Sequence, residues 1–351
     1  MENKRTEVAL FSDPWERNDN AIWLASTISL HRNLDKFLFP EKLEIEKRSL
    51  VSKILSQALQ KANPQLTLFA AENISPVDRD FLAEHFLSFE RAHDVHQGHA
   101  YMVNTNGRLL IRINSQDHLH IQMVDLDGRL EEALEHLITV EKHVEEKLPF
   151  AFSNQFGYLT SDPCLSGTGL SVSAYIHIPA LFFEQEESVE KLFSDPDVIY
   201  TDLQGAGRFV GDILVIRNRW SLGVSEESIL SCVRKAALRI VAEEKVCRER
   251  MREEKKDELI DTMRRCIGTL QNAFTFDTEE ALDMISCTKL GVELNWVEGV
   301  CREDVNEIFF DCRRAHIIKR LGSTSIDASE VYKSRANILR KCFGSARFVC
   351  E

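Results

Sequence analysis

The residues that decide the fold are 156–181, which read FGYLTSDPCLSGTGLSVSAYIHIPAL. Gly167 and Gly169 lie two residues apart, and glycines hold tight turns because they accept backbone conformations that other residues avoid. The residues that follow, GLSVSAYIHIPAL, alternate in polarity as a strand does. This stretch therefore predicts a glycine turn that leads directly into a strand.

Further strands are predicted on either side of this stretch. Residues 100–124 read as three of them, with a hairpin turn at Asn104 to Gly107, and GDILVIRNRW (211–220) reads as another. Strands and helices alternate without the strict repeat of a doubly wound fold. An α+β architecture with an antiparallel sheet is therefore expected.

Helices are predicted where apolar residues recur at helical spacing. Residues 39–62 and 130–148 show this pattern. A later helix is expected to begin at Asp277 or Thr278, which resemble N-caps, and to stop at Gly291.

The chain is predicted to be helical from about residue 225 onward. Ser225, followed by two glutamates, resembles an N-cap with acids in the first turn. The mixed charges of residues 242–259 are typical of an exposed connector helix. We place a boundary near residue 250, between a mixed domain (1–250) and a helical domain (251–351).

Composition excludes several function classes. The net charge of −13 over 351 residues argues against a general nucleic-acid binder, which needs clustered Lys and Arg. No apolar run approaches the ~20 residues that span a bilayer, and the charged N-terminus lacks the apolar segment of a signal peptide. The nine cysteines include no CxxC pair, so reduced thiols are expected. We expect a cytoplasmic protein without membrane or nucleic-acid partners.

Histidines raise the question of a metal site. His118 and His120 would share a face of a strand in NSQDHLHIQ (114–122), beside Asp117. A third ligand is not evident, so no metal is expected. A second histidine group surrounds Gly98 and is interpreted as a solvated loop: His93, His96 and His99.

Four segments together resemble the bacterial protein-arginine kinases of McsB type, members of the phosphagen kinase superfamily. Residues 156–181 match the family block GYLTACPTNVGTGLRAS and its HLPAL, residues 114–122 match NEEDHLRIQ, and residues 22–34 match VLSSRIRLARNL. TEEALDMIS and SRANILR supply the C-terminal match. The resemblance implies a catalytic domain with an antiparallel sheet flanked by helices, followed by a small helical domain.

The same matches imply that the family's active positions are replaced here. Phosphoryl transfer from ATP to a guanidinium relies on arginines that clamp the phosphates and on carboxylates that hold the acceptor. Four of the family's arginines fall on Thr27, Ser29, His120 and Ser171, and a fifth falls near Thr201, where the match is loosest. Its acids fall on Ser115, Gln116 and Ala206, and its reactive cysteine falls on Asp162.

These replacements predict that no catalytic set is intact. The expected nucleotide cleft is degenerate and consists of Thr27, Ser29, His118, His120, Ser171 and Thr201. The hypothesis is a pseudokinase that serves as an adaptor or scaffold and needs no cofactor. The alternative is a divergent protein-arginine kinase that uses ATP and Mg²⁺ through relocated residues. Its candidate cations are Arg32, Arg208, Arg217 and Arg219, and His120 could add partial charge near its usual pKa of ~6.5.

The resemblance extends to a regulatory phosphoarginine pocket and to partners. The family marks that pocket with RDxxRA, whereas VYKSRA here keeps Arg335 but has Val331 and Tyr332 in the first two positions. A degenerate pocket is therefore expected. Active members of the family work with a zinc-containing activator protein and a Clp-type ATP-dependent protease, which makes these the implied partners. The oligomeric state, a homodimer included, stays open.

Overall fold

The computed structural model describes residues 19–88, 96–184, 193–203, 207–322 and 327–350, together with Val8. The described elements form one large sheet, two short two-stranded sheets and ten α-helices. Within this part of the chain, no helix combines the length and hydropathy needed to cross a membrane.

The strands are β1 (Trp23–Arg32), β2 (Thr67–Ala70), β3 (Ala100–Val103), β4 (Leu109–Ile113), β5 (Leu119–Asp125), β6 (Phe152–Ser153), β7 (Gly157–Tyr158), β8 (Leu170–His177), β9 (Val198–Thr201), β10 (Ile213–Asn218), β11 (Val297–Glu298) and β12 (Arg347–Phe348). Eight of them form the large sheet in the order β2-β3-β4-β5-β1-β8-β10-β9. Every neighbouring pair in it is antiparallel. The sheet is thus the antiparallel one that the sequence predicted.

The α-helices are α1 (Ile45–Ala62), α2 (Pro76–His85), α3 (Leu130–Glu145), α4 (Pro179–Glu184), α5 (Glu226–Glu254), α6 (Asp257–Asn272), α7 (Thr278–Glu293), α8 (Arg302–Asp311), α9 (Arg314–Arg320) and α10 (Ala328–Phe343). Short 3-10 helices lie at Pro40–Lys42, Ala71–Asn73, Pro163–Leu165 and Val210–Asp212. Ser225 caps α5 by accepting a hydrogen bond from Ser228 N, and Asp277 caps α7 by accepting one from Glu280 N. Both predicted N-caps are confirmed.

Alternation along the strands gives the sheet two different faces. On one face, residues such as Ile28 and Val172 join an apolar core with α1, α3 and α5. At one end of the other face, Val124, Tyr175 and Val215 pack in a second core with the C-terminal helices. The rest of that second face carries polar side chains, and these form the floor of a cleft.

Two helix predictions need correction. Gly291 does not end its helix, because α7 continues to Glu293. A Cβ at Gly291 would lie 2.5 Å from Val297 Cγ2, so the glycine allows close packing of β11 rather than a stop. The predicted connector helix is also not simply exposed. Arg248 Nε donates to Glu244 Oε1 at 2.6 Å, and both side chains are buried against the sheet domain.

The two cores extend across the predicted domain boundary. Position 250 lies inside α5, which ends where Lys255 adopts a left-handed conformation. The first core contains Met263 as well as Ile28, and the second contains Phe309 as well as Val124. The division at 250 stays a prediction, but the helices beyond it complete the core of the sheet.

Candidate functional site

The polar part of the sheet is the floor of an open cleft of about 1000 Å³. Strands β1, β4, β5, β8 and β10 supply the floor, and residues of α1, α2 and the loop around Asp162 supply the walls. Polar side chains in so buried a setting need partners, either one another or a ligand. The cleft is therefore the candidate site.

Cross-strand neighbours arrange the floor in rows that share one face. The first row is Arg112, His120 and His31; the second is Gln122, Ser29 and Ser171; the third is Thr27, Ser173 and Arg217. Hydroxyl groups occupy the middle of the floor, and one arginine stands at each of two opposite edges. Such a floor offers many hydrogen-bond donors and few negative charges.

Four of the five predicted arginine positions meet on this floor. Thr27, Ser29, His120 and Ser171 all line the cleft, on three adjacent strands. Thr201 lies at the end of edge strand β9, paired with Val215, and is not among the lining residues. The structure thus brings together the positions with firm sequence matches and leaves out the position whose match was loosest.

The predicted acid positions lie at one end of the cleft. Ser115 and Gln116 line it beside the loop that carries Asp162, and Ser161 Oγ donates to Gln116 O at 2.7 Å. Of the described lining residues, Glu41 and Asp162 carry carboxylates. The Asp162 carboxylate accepts a hydrogen bond from Cys164 N at 2.9 Å, which orders its own loop. Ala206 lies outside the described residues.

Asp117 holds this end of the cleft together. Its carboxylate accepts hydrogen bonds from Asn33 Nδ2 at 2.6 Å, Ser161 N at 2.7 Å and His31 Nδ1 at 3.2 Å. Burial alone would raise the pKa of this carboxyl, but the hydrogen bonds from His31, Ser161 and Asn33 keep the pKa below its usual value. Asp117 is therefore an ionised anchor for His31.

His118 has a structural position rather than one in the cleft. Its Nδ1 accepts a hydrogen bond from Leu34 N at 3.1 Å, and it is not among the lining residues. Burial lowers its pKa to about 4, so the ring is neutral near pH 7. The predicted nucleotide-binding role of His118 does not fit this placement. Among the described residues, no group of three or more His, Cys, Asp or Glu could hold a metal ion.

His120 and Arg112 form a pair across β4 and β5. Arg112 Nη1 lies 3.0 Å from His120 Nδ1, and Arg112 Nη2 donates to Gln122 Oε1 at 2.7 Å. A guanidinium has donors only, so His120 Nδ1 must accept and the proton of the neutral ring sits on Nε2. The charge at this point of the floor therefore belongs to Arg112, not to His120 as the sequence suggested.

Arg112 and His31 were missed by sequence comparison. Arg112 interrupts the apolar strand LLIRI, and an arginine inside such a strand was the available signal. His31 follows Ser29 by two residues and so shares its face. Further arginines line the cleft from other segments: Arg48 of α1, Arg79 of α2, and Arg217 and Arg219 at the end of β10.

Two other candidate cations lie elsewhere. Arg32 is buried on the opposite side of β1, where its Nε donates to Glu141 Oε1 at 2.5 Å and its guanidinium stacks on Tyr158 at 3.6 Å. Arg208 is exposed and forms ion pairs with Glu279 and Asp283 of α7. Neither arginine lines the cleft, so neither supplies a residual phosphate site there.

The glycine turn before β8 supports this architecture. Gly169 has a φ of 63°, and a Cβ there would lie 2.4 Å from Arg32 Nη1 and 2.6 Å from His31 O. Only glycine therefore lets the turn approach β1 so closely. The turn positions strands whether or not a ligand is bound.

At the predicted regulatory pocket, Arg335 is bonded to the protein itself. Arg335 is fully buried and donates to Cys312 O at 2.7 Å, Phe276 O at 2.7 Å and Thr278 Oγ1 at 2.9 Å. Val331 is buried as well, whereas Tyr332 is largely exposed. Arg335 therefore ties helices together, and its hydrogen-bonding groups face protein acceptors.

Comparison with known proteins agrees with the fold. Residues 46–247 match the family model described as ATP:guanido phosphotransferase, C-terminal catalytic domain, and residues 256–348 match the protein-arginine kinase McsB C-terminal domain. Among solved structures, the duplicated taurocyamine kinase from Schistosoma mansoni has a TM-score of 0.59 at 20% identity, over 68% of this chain and 35% of that one. Lombricine kinase has a TM-score of 0.55 at 17% identity, over 70% and 74% of the two chains. At these identities the structures support the fold.

Curated relatives identify the branch of the family. A protein-arginine kinase from Chlamydia pneumoniae is 31% identical over 92% of this chain and 90% of its own length. One from Clostridium tetani is 28% identical over 92% of this chain and 96% of its own. The family models, the antiparallel sheet and these relatives agree, and the chain belongs to the protein-arginine kinase family of ATP:guanido phosphotransferases.

Proposed function

We propose that this chain is a pseudokinase of the protein-arginine kinase family, which has lost efficient transfer of phosphate to arginine and acts by binding. The floor of the cleft supports this proposal most strongly. Thr27, Ser29, His120 and Ser171 stand together where the family resemblance implies clamping arginines. A cluster of replacements at one surface indicates a change of function rather than scattered drift.

The acceptor end of the cleft supports the same conclusion. A guanidinium acceptor must be gripped and deprotonated, which carboxylates do well. Ser115 and Gln116 are neutral, and their neighbour Asp117 is engaged with Asn33 and Ser161. Loss of a single preorganised charge-stabilising donor typically costs about 10²–10³ in rate. Several such losses leave little rate for arginine phosphorylation.

The cleft keeps features of an anion-binding site. Arg112 and Arg217 stand at its edges, and hydroxyls fill the space between them. Arginine forks and hydroxyl groups match phosphate oxygens. A ligand with a phosphate group, such as a nucleotide, is thus the class that the cleft fits best. Any magnesium ion would arrive with that nucleotide.

Family relationships suggest the cellular setting. We propose that the chain acts as an adaptor or scaffold in a cytoplasmic, Clp-type protein quality-control system. Its proposed partners are a zinc-containing activator protein and a Clp-type ATPase. Pull-down of the full chain with each purified partner tests this part, and failure to retain either one would contradict it.

The central experiment measures phosphoarginine directly. The full chain is incubated with labelled ATP, Mg²⁺ and an arginine-rich protein, with and without a zinc-containing activator. The expected result is no acid-labile, base-stable phosphate on protein, together with a rise in Tm on addition of ATP. Binding to the folded state alone stabilises by about 2.7 kcal/mol at a hundredfold excess over Kd. Acid-labile phosphate on protein would reject the pseudokinase.

A divergent protein-arginine kinase is the second candidate. It is favoured by the arginines that approach the cleft from new positions, Arg112 across from His120 above all. Asp162 could then replace the missing acids near Gln116. The labelling experiment separates the two candidates, because the kinase requires phosphoarginine formation that depends on Arg112.

A further inference from the structure

We infer that the cleft hydrolyses a phosphoanhydride bond, with His31 as the general base that activates water. This inference rests on the proposed binding of a phosphate-bearing ligand and goes beyond it. His31, held by Asp117 on the floor of the cleft, carries this inference, and the resemblance to the family does not supply it.

The first row of the floor brings these groups together. His31 and His120 are direct cross-strand neighbours on β1 and β5, and their rings stack with centroids 4.0 Å apart and an interplanar angle of 27°. Arg112 holds His120 from one side, and Asp117 holds His31 from the other. Both rings are therefore fixed in orientation, as a catalytic constellation requires.

Hydrogen bonds to Nδ1 give the His31 and His120 rings different protonation at Nε2. The ionised Asp117 accepts the Nδ1 proton of His31, which leaves the Nε2 lone pair of a neutral ring as proton acceptor. Arg112 donates to Nδ1 of His120, which leaves a proton on its Nε2. The cleft thus presents His31 as a base, whereas His120 Nε2 is buried and the Arg112 charge lies on the far side of the His120 ring.

Water is the acceptor that such a site can use. Ser115 and Gln116 do not provide the acids that hold a guanidinium, but a water molecule needs only a base and space. In the proposed step, the water oxygen bonds to the terminal phosphorus while its proton moves to His31 Nε2. The bond from phosphorus to the bridging oxygen breaks, and its electron pair leaves with the nucleoside diphosphate. The products are the diphosphate and inorganic phosphate, and His31 returns its proton to solvent.

The test measures phosphate released from ATP with Mg²⁺ by the full chain and by two variants purified in the same way. In His31→Gln the base is lost, and release should fall at least about 100-fold. The matched control is His143→Gln, since His143 is exposed on α3 and bonds only to Thr139 O among described contacts. Its rate should stay within twofold of the parent.

Measurements of ATP binding separate the possible results. A Tm shift with ATP in His31→Gln shows that the variant is folded and still binds. Binding without phosphate release by the wild type would overturn hydrolysis while leaving the proposed function intact. Equal rates of phosphate release in both variants would also overturn it.

Discussion

Arg112 and His120 face each other across β4 and β5, with Arg112 Nη1 3.0 Å from His120 Nδ1. The family resemblance implies an arginine at position 120. In this chain position 120 is a histidine, and Arg112 places a guanidinium on the neighbouring strand, one strand spacing (~4.8 Å) away on the same face of the sheet.

Replacing Arg112 by methionine should weaken ATP binding at least about tenfold. Hydrogen bonds to a charged group contribute about 1.5–3 kcal/mol, and 1.4 kcal/mol corresponds to a tenfold change in Kd. Calorimetric titration of the full chain with ATP measures this change. The matched control is Arg208→Met, because Arg208 pairs with Glu279 and Asp283 outside the cleft. Equal affinity in the two variants would contradict a phosphate role for Arg112.

The ion pair between Arg32 and Glu141 should matter for stability rather than for binding. Both side chains are at least 94% buried, with 2% and 6% exposed. Glu141→Gln leaves the Arg32 charge without its counter-ion and should cost about 3–5 kcal/mol in urea unfolding. Asp261→Asn breaks an exposed pair with Arg265, which solvent screens, and should leave stability nearly unchanged. Similar costs for both changes would show that burial of the Arg32 pair has no special effect.

The turn glycines allow strain and clash to be measured separately. Gly169 and Gly223 both have positive φ, but a Cβ at Gly223 meets no atom within 4 Å, whereas one at Gly169 meets Arg32 and His31 O. Gly223→Ala should therefore cost about 1 kcal/mol for backbone conformation alone. Gly169→Ala should cost a further 1–3 kcal/mol, roughly, from overpacking. Urea unfolding compares the two, and an equal loss would argue against the close approach of the turn to β1.

Asp212 should make stability depend on pH in an unusual direction. Burial raises its pKa to about 6, even though Ser286 Oγ donates to its carboxylate at 2.5 Å. An acid whose pKa is higher in the folded state destabilises it increasingly as pH rises from the unfolded to the folded pKa. The unfolding free energy of wild type minus that of Asp212→Asn should thus fall by about 3 kcal/mol in total between about pH 3 and pH 7, and stay constant above. Urea unfolding across this range measures the difference, and a difference independent of pH would refute the raised pKa.

Sequence patterns predicted the fold better than they predicted the cleft. Alternation of apolar and polar residues was enough to predict strands β8 and β10. Residues with N-cap side chains correctly predicted where α5 and α7 begin. Gly291 shows the limit of such rules, since its role comes from contact with Val297, which local sequence does not reveal.

The cleft shows a different limit. Motif matching predicted that Thr27, Ser29 and Ser171 belong to one site, and they lie on one floor. It compares each sequence position with the family separately, however, and says nothing about contacts between positions. Arg112 becomes relevant only through its register with His120, and His31 only through Asp117, 86 residues away. Contacts between side chains on neighbouring strands depend on how the strands pair, and a single sequence does not specify this pairing. The same holds for Arg335, whose burial among carbonyl groups depends on how the C-terminal helices pack.

The shared cores constrain how this chain can be cut or recombined. Val124, Tyr175 and Val215 on the second face of the sheet are covered by residues such as Phe309, from beyond position 250. A fragment that ends near 250 would expose this apolar surface to water and should aggregate. The helical region is therefore not a detachable module that a gene fusion could exchange freely. This dependence involves none of the cleft residues Thr27, Ser29 and Ser171, so the fold can persist whatever chemistry the cleft performs.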